Sequence, residues 1–413
     1  MSGESLLGRR PVAALLTAEV VSTTGAQMTW LALPWFVLTT TGSATRMTLV
    51  VAAELVGFAA LGLPGSRVLA RLGAWRTMVG CDLLRAPVML VLPVLHWAGG
   101  LSFGLLLGVA LALGALGAPY FAAQKIIVPE LLGEDEALVA RASALFQGAT
   151  RVTLLLGPVA AGVLISVVSA PAVLLVDAAT YAVAAVLVLA FVPRPASAHT
   201  DAEEAGLRQG LRFLARERLL RVWAPVLAVG DAAWAAFFVT IPVLVVERFD
   251  SDPRVAGWLL ASFGVGAVAG NVVAYRVLLA RVQGLTLVAA CVLGQALPLW
   301  LLATDAPAIA LSAALAASGI ANGLVNPSLH ALLTLRVPPL LRPPALTAMM
   351  VLNVVLQPVA VFGAGPVLDA YGAEPVLVAF AAVQTVAMAA LALSALRERA
   401  LLAVGSAAGA GTA

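Results

Sequence analysis

The sequence predicts an all-α membrane protein, with twelve transmembrane helices in two pseudo-symmetric six-helix halves. Three observations carry that prediction, and composition is the first. Hydrophobic residues fill 62% of the 413 positions and charged residues 11%, at a mean hydropathy of +1.02. A soluble domain carries about 25% charge and about 45–50% apolar residues. Segmentation is the second. Punctuated by Arg, Pro and Gly, the chain falls into twelve apolar runs, each close to the roughly 20 residues that a span requires. They are 11–38, 45–65, 76–97, 100–124, 138–168, 171–192, 221–246, 254–279, 283–303, 306–332, 342–368 and 373–396. The runs are rich in Leu and Ala and lack strict alternation, which excludes strand spans. The third observation is a repeat. In the Arg-rich turn Gly65–Arg76, Arg71 stands ten positions before Cys81; Arg281, closing the similar run Arg276–Arg281, stands ten before Cys291. A shared basic turn about 210 residues apart points to a duplicated membrane protein, an architecture typical of transporters.

The distribution of charge sets the orientation. Arg9, Arg10, Arg67, Arg71, Arg76, Lys125, Arg141, Arg194, the arginines from Arg208 to Arg221, Arg276, Arg281, Arg336, Arg342, Arg397 and Arg399 all fall on one side. The other side holds Arg46, Arg248 and Arg254. The positive-inside rule makes the basic side cytoplasmic, with both termini and the long 193–220 connection. The net charge of +3 is then topological and gives no ground for nucleic-acid binding. Cys81 and Cys291 sit near cytoplasmic helix starts, where no disulfide framework is expected. The histidines are scattered and no metal-ligand spacing occurs. The layout that follows is a six-helix half over 1–192, a cytoplasmic linker over 193–220, a second half over 221–398 and a disordered tail over 399–413.

In the first span Glu19, Thr23, Gln27 and Trp30 step by four, four and three, which puts them on one helical face. Glu19 lies about 12 Å above the cytoplasmic end at 1.5 Å per residue; so costly an intramembrane acid is read as functional rather than as packing. Glu54, mid-depth in the second span, is either a coupling acid or a structural partner for an Arg. Asp82 and Arg85 open the third span three apart and can pair along the helix, where a structural role is preferred. The fourth span is rich in small residues that permit close helix packing, and Glu134-Asp135-Glu136 after it reads as a solvated face. The fifth span carries Ser143, Gln147 and Arg151 at spacing four. Arg151, near the membrane middle, needs an acid, with Glu19, Glu54 and Asp231 available. Gly157 and Pro158, with Gly162, would bend or loosen this helix at a moving interface. Asp177 in the sixth span reads as nearer the outer end and facing water. The linker ends in a basic amphipathic stretch, Leu207–Leu220, expected on the cytoplasmic membrane surface with its arginines outward.

In the second half Asp231, Trp234 and Phe238 share a face of the seventh span. Asp231 follows Glu19 by 212 positions, close to the repeat offset. The eighth span has a Gly-rich run, Gly264 to Gly270. Asn322, Asn326 and His330 stand four apart in the tenth, and Asn353 and Gln357 four apart in the eleventh. Any single Asn or Gln is more often a packing hydrogen bond; the stripes together point to a polar cavity shared by the halves.

Twelve spans in two halves, a long cytoplasmic middle loop and the Arg-rich turn resemble the major facilitator superfamily. Its turn signature, G-x-L-A-D-R-x-G-x-R-R, is matched at Arg71, Gly73 and Arg76. Gly65 is one position short of the first glycine, Ala70 replaces the aspartate and Trp75 an arginine. Within the superfamily the chain is most similar to the macrolide-efflux and enterobactin-exporter-like branch. The carrying residues are Thr41-Gly42-Ser43, Asp82-Leu-Leu-Arg85, Pro129-Glu130-Leu, the stretch 142–147, Gly157-Pro158-x-x-Ala161-Gly162 and Asp177-Ala-Ala-Thr-Tyr181. The likeness covers mainly the first half. It implies alternating access in a bacterial inner membrane, the halves rocking about a midplane site. Gating and structural roles fall to Gly65, Arg67, Arg71, Gly73, Arg76, Asp82, Arg85, Gly157, Pro158 and Gly162. Asp82 or Glu130 is the candidate to stand in for the missing aspartate.

The expectation is therefore a monomeric secondary transporter exporting a small amphipathic compound, driven by the proton gradient without a cofactor or metal. Its partners would be the substrate, protons and the lipid bilayer. Burial disfavours the charged form of a carboxyl group, which lets such a group pick up a proton on one side and release it on the other. Glu19, Glu54 and Asp231 are the candidate proton or cation sites, with Arg151 as counter-charge. Gln27, Trp30, Gln147, Trp234, Phe238, Asn322, Asn326, His330, Asn353 and Gln357 are the candidate cavity contacts. Uptake or facilitated diffusion of a metabolite, and a non-transporting partner or sensor on the same scaffold, stand as alternatives. No nucleophile–base or metal constellation speaks for an enzyme.

Overall fold

Local sequence sets the helix ends. Pro11 stands in the first turn of α1 (Arg10–Thr41), and Gly42, at φ 65°, closes it with its N–H on the Leu38 carbonyl. A residue without a Cβ takes that left-handed conformation at little cost. Ser43 then caps α2 (Ala44–Leu72), its Oγ accepting from the Arg46 N–H at 3.2 Å. Thr41-Gly42-Ser43 is thus a C-cap running straight into an N-cap. Ser102 caps α4 (Phe103–Leu132) in the same way, after α3 (Ala74–Trp97). The helices α5 (Glu136–Val167) and α6 (Ala170–Phe191) complete the first half. The structure, a computed structural model, describes residues 8–133, 136–194, 206–278 and 282–410.

The second half opens with α7 (Leu207–Arg216) and α8 (Leu220–Arg248). Next come α9 (Pro253–Val273), extended by a π turn, and α10 (Gly284–Cys291). One span is built from α10, α11 (Leu293–Ala296) and a 3-10 segment, Leu297–Ala303; α12 (Ala308–Leu335), α13 (Arg342–Tyr371) and α14 (Ala373–Ala410) follow. Among the described residues, 11 helical stretches are long and apolar enough to cross a membrane. At 32 residues α1 has the length too, but Glu19, Ser22, Thr23, Thr24, Gln27 and Thr29 lower its apolarity. No strand occurs among the described residues.

The chain divides into two compact units, Met1–Glu203 with Ser251–Gly257, and Glu204–Asp250 with Trp258–Ala413. In the first, α1 packs on α5 and α6, α2 on α4, and α3 on α4 and α6. In the second, α8 packs on α13 and α14, α10 on α12 and α14, and α9 on α12. Numbered as spans within each half, these are the same pairs. The tightest contacts rest on glycine: a Cβ on Gly114 would collide with the Glu54 carbonyl, and one on Gly323 with the Ala267 carbonyl. Small residues there let helix backbones touch. Each unit has its own core, one around Leu15, Trp75, Met78 and Ile127, the other around Leu220, Trp223, Val288 and Leu391.

The Arg-rich turn proves to be mostly helix. Residues 66–72 contain no breaker and Leu69 packs into the core, so α2 runs on to Leu72 and Gly73 alone, at φ 78°, makes the turn. The linker helix α7 also departs from expectation, because its apolar face meets protein. Leu214 belongs to the core of the second unit, Gly210 abuts the Pro344 carbonyl, and Arg208, Arg212 and Arg216 are exposed. The expected tail is helical to Ala410, since the Ala- and Leu-rich stretch after Arg399 holds no proline. Glu134, Asp135, residues 195–205, Arg281 and residues 411–413 lie outside the described residues.

Candidate functional site

Helices α1, α3, α4 and α6 of the first unit converge on a buried charged cluster. Glu19 of α1, 2% exposed, accepts from the Thr23 hydroxyl at 2.8 Å, from the Tyr120 hydroxyl at 3.4 Å and from the Gln124 amide. Asp177 of α6, fully buried, accepts from the Thr29 hydroxyl at 2.5 Å and the Thr180 hydroxyl at 3.1 Å. The Arg85 guanidinium lies over two rings, 5.2 Å from the Tyr120 centroid and 4.6 Å from that of Tyr181. Its Nη1 is 4.0 Å from Asp82 Oδ1. The charge of Arg85 also acts on Glu19, Glu54 and Asp177. One cation thus stands among the buried acids Glu19, Asp82 and Asp177, and two tyrosine faces hold it in place.

This cluster corrects two sequence expectations. Arg151 is exposed, and no ion pair joins it to Glu19, Glu54 or Asp231 among the described residues. The buried stripe of α5 includes Ala142, Phe146, Thr153, Gly157, Ala161 and Ile165; Gln147 and Arg151 fall beside it, and Gln147 is exposed as well. Asp177 does not face water. It lies seven residues after Ala170, about 10 Å along the helix, on the face that meets α1. Asp82 and Arg85 do pair, but at the centre of the cluster rather than apart from it. Of the two candidate stand-ins for the missing turn aspartate, Asp82 is drawn into this cluster, and Glu130 lies in the last turn of α4.

The second unit carries an open cavity of ≈ 530 Å³. From α8 it is lined by Asp231, Trp234 and Phe238; from α12 by Asn322, Asn326 and His330; from α13 by Asn353. Asn353 Nδ2 donates to Asp231 Oδ2 at 2.8 Å, and Asn322 Nδ2 to Gln295 Oε1 at 3.3 Å. Trp234 is braced by Phe263, Phe237 and Phe380, with centroids at 4.5, 5.3 and 5.0 Å. Gln384 spends its amide on the Gly230 carbonyl at 2.8 Å.

Two repeated six-helix units, one with a buried charge cluster and one with an amphipathic cavity, describe a carrier. The sequence from residue 15 to residue 357 matches the family model of the Major Facilitator Superfamily. The chain belongs to that superfamily. It is a multi-pass membrane transporter. The multidrug efflux pump Tap of Mycobacterium tuberculosis is 24% identical over 405 residues, covering 94% of this chain and 95% of the relative. Tap of Mycolicibacterium fortuitum is 26% identical over 382 residues, covering 88% and 90%. The crystal structure of the nucleoside transporter NupG superposes with a TM-score of 0.75 at 14% identity, covering 93% and 98%. At that identity the likeness is one of fold.

The remaining candidate residues of this superfamily member are scattered. Trp30 is 51% exposed, and neither it nor Gln357 lines the cavity. Gln27 packs against Gly157 of α5, where a Cβ would collide with its own. Pro158 lies inside α5 and Gly162 abuts the Pro253 carbonyl. Gly65 is buried against Pro119, Arg71 and Arg76 are exposed, and Arg67 lies on α2 with its side chain outside those described. Sequence reasoning missed Tyr120, Gln124, Tyr181, Phe263, Gln295, Phe380 and Gln384. The signals were present in part: Asp177 and Tyr181 are four apart, and Gln295 and Gln384 are lone amides in apolar spans.

Proposed function

We propose that this transporter exports small amphipathic molecules by alternating access, with proton movement through the Arg85 cluster as the driving force. The observation that carries the reading is the cavity of the second unit. Its volume of ≈ 530 Å³ falls in the range of about 300–1,000 Å³ usual for drug-sized ligands, and its apolar walls carry a few placed polar groups, as such sites do. Coupling draws support from the first unit. Glu19, Asp82 and Asp177 lie buried around one guanidinium, an arrangement in a low-dielectric interior that suits binding and release of protons. Export rather than uptake follows the name of the Tap relatives. The charge distribution supports a bacterial membrane with both termini in the cytoplasm, and in this reading one bundle is the working unit.

The test is flux in proteoliposomes across an imposed pH gradient, using a panel of amphipathic antibiotics and dyes. Wild-type protein is expected to move at least one compound with the gradient, and Glu19→Gln, folded, to move none. Absence of gradient-driven movement of every compound by folded wild-type protein would overturn the reading.

A further inference from the structure

We infer that the cavity of the second unit binds lipophilic monocations with a planar aromatic body, and that Asp231 is their counter-ion. The inference rests on the export reading and names its substrate class. Charge is the first argument. Asp231 is the one acidic side chain among the described residues lining the cavity, and no Lys or Arg lines it. No Lys or Arg pairs with Asp231 among the described residues, and the remaining titratable group at the cavity wall is His330 of α12. The contact Asp231 does have is the Asn353 amide, 2.8 Å from Oδ2. A neutral amide orients a carboxylate but brings no opposite charge. In the first unit the buried acids Glu19, Asp82 and Asp177 lie around Arg85; among the described residues lining this cavity no Lys or Arg plays that part for Asp231. Asp231 is exposed to the cavity, so its charge is open to a ligand, and a bound cation would supply the partner that an intramembrane acid calls for.

Shape is the second argument. Trp234 and Phe238 follow Asp231 by three and seven positions on α8, about 4.5 and 10.5 Å along the axis at 1.5 Å per residue. Trp234 is held against Phe263 at 4.5 Å. Such rings stack on a planar body and attract a cation to their faces. Met349, Met350 and Met388 complete the wall, and their flexible thioethers fit bodies of different outline. A charged nitrogen near Asp231 with an aromatic body along Trp234 and Phe238 satisfies both features. An anion meets a like charge at Asp231 and no Lys or Arg among the described lining residues.

Three fluorescent probes on one skeleton decide it: (9-anthracenylmethyl)trimethylammonium, 9-anthracenemethanol and 9-anthracenecarboxylate. Each is titrated into purified full-length protein in detergent, with no gradient. The wild type is expected to bind the cation about tenfold or more tighter than the alcohol, with the carboxylate weakest. Asp231→Asn should remove the cation's advantage and leave the alcohol unchanged, while Asp231→Glu keeps the order. Equal binding of cation and alcohol by the wild type overturns the proposal, as does a cation preference that survives Asp231→Asn. The wild-type order is read without any variant, so a substitution that fails to fold leaves the proposal open to refutation. Binding in the expected order without gradient-driven flux of the cation would support the site and count against export, so the two fail separately.

Discussion

Glu19 and Asp231 hold corresponding places in the repeat, each on the first span of its half, yet their surroundings differ. Glu19 is 2% exposed and sits among Thr23, Tyr120 and Gln124 in the field of Arg85; Asp231 opens on a cavity and meets Asn353. That Glu19 matters could be read from the sequence, because an acid in the hydrocarbon layer is costly wherever it points. Its partner could not. Tyr120, Tyr181 and Asp177 reach Arg85 from α4 and α6, and depth along one helix does not say which face a neighbour covers. The same limit made Arg151 look like the counter-charge. The two arginines are therefore expected to respond differently to neutralisation. Arg85→Gln leaves buried carboxyl groups without a cation and should cost about 3–5 kcal/mol of stability. Arg151→Gln, at an exposed position, should stay within about 0.5 kcal/mol. Thermal unfolding of both variants in detergent checks this, and equal losses would contradict the assignment.

At the scale of elements, the spans announce themselves by length and their ends by Gly, Ser and Pro. The twelve apolar runs correspond to helices because only helices and closed barrels satisfy the backbone in hydrocarbon, and runs of this length without alternation do not suit a barrel. The Arg-rich turn and α7 escaped that logic. An arginine at a helix end is compatible with helix, so only Gly73, with its positive φ, marks the true corner. An amphipathic stretch shows that it will bury a face but not against what, and Leu214 chose the protein core over the membrane surface. Helix contact is set by residues with no side chain to detect. Gly108 and Gly114 lie on the same helix, α4, but a Cβ meets nothing within 4 Å at the former and the Glu54 carbonyl at the latter. Gly114→Ala should destabilise by about 1–3 kcal/mol through overpacking of α2 on α4. Gly108→Ala should be neutral or stabilising by up to about 1 kcal/mol, from helix propensity. Unfolding midpoints of the two variants measured together test the contact; similar values would mean that α2 and α4 are not in backbone contact there.

For the whole molecule, the two units repeat one helix-pairing scheme while carrying different chemistry. The repeat was visible in the basic turns about 210 positions apart; the division of chemistry was not, because both halves show an acid on their first span. Only tertiary neighbours separate a carboxyl group held with a cation from one left facing a cavity. If the first unit handles protons and the second the substrate, single substitutions should split the cycle. Glu19→Gln should abolish the response of flux to an imposed pH gradient and leave equilibrium binding of the anthracene cation within about twofold of wild type, since Glu19 and Asp231 share no hydrogen-bond partner among the described residues and sites without shared partners tend to act additively. Asp231→Asn should weaken binding itself by about tenfold or more, and flux with it. The double variant should bind like Asp231→Asn alone. Titration in detergent and flux in proteoliposomes, run on the same preparations, give both readouts. A loss of binding in Glu19→Gln as large as that in Asp231→Asn would mean that one site serves both steps.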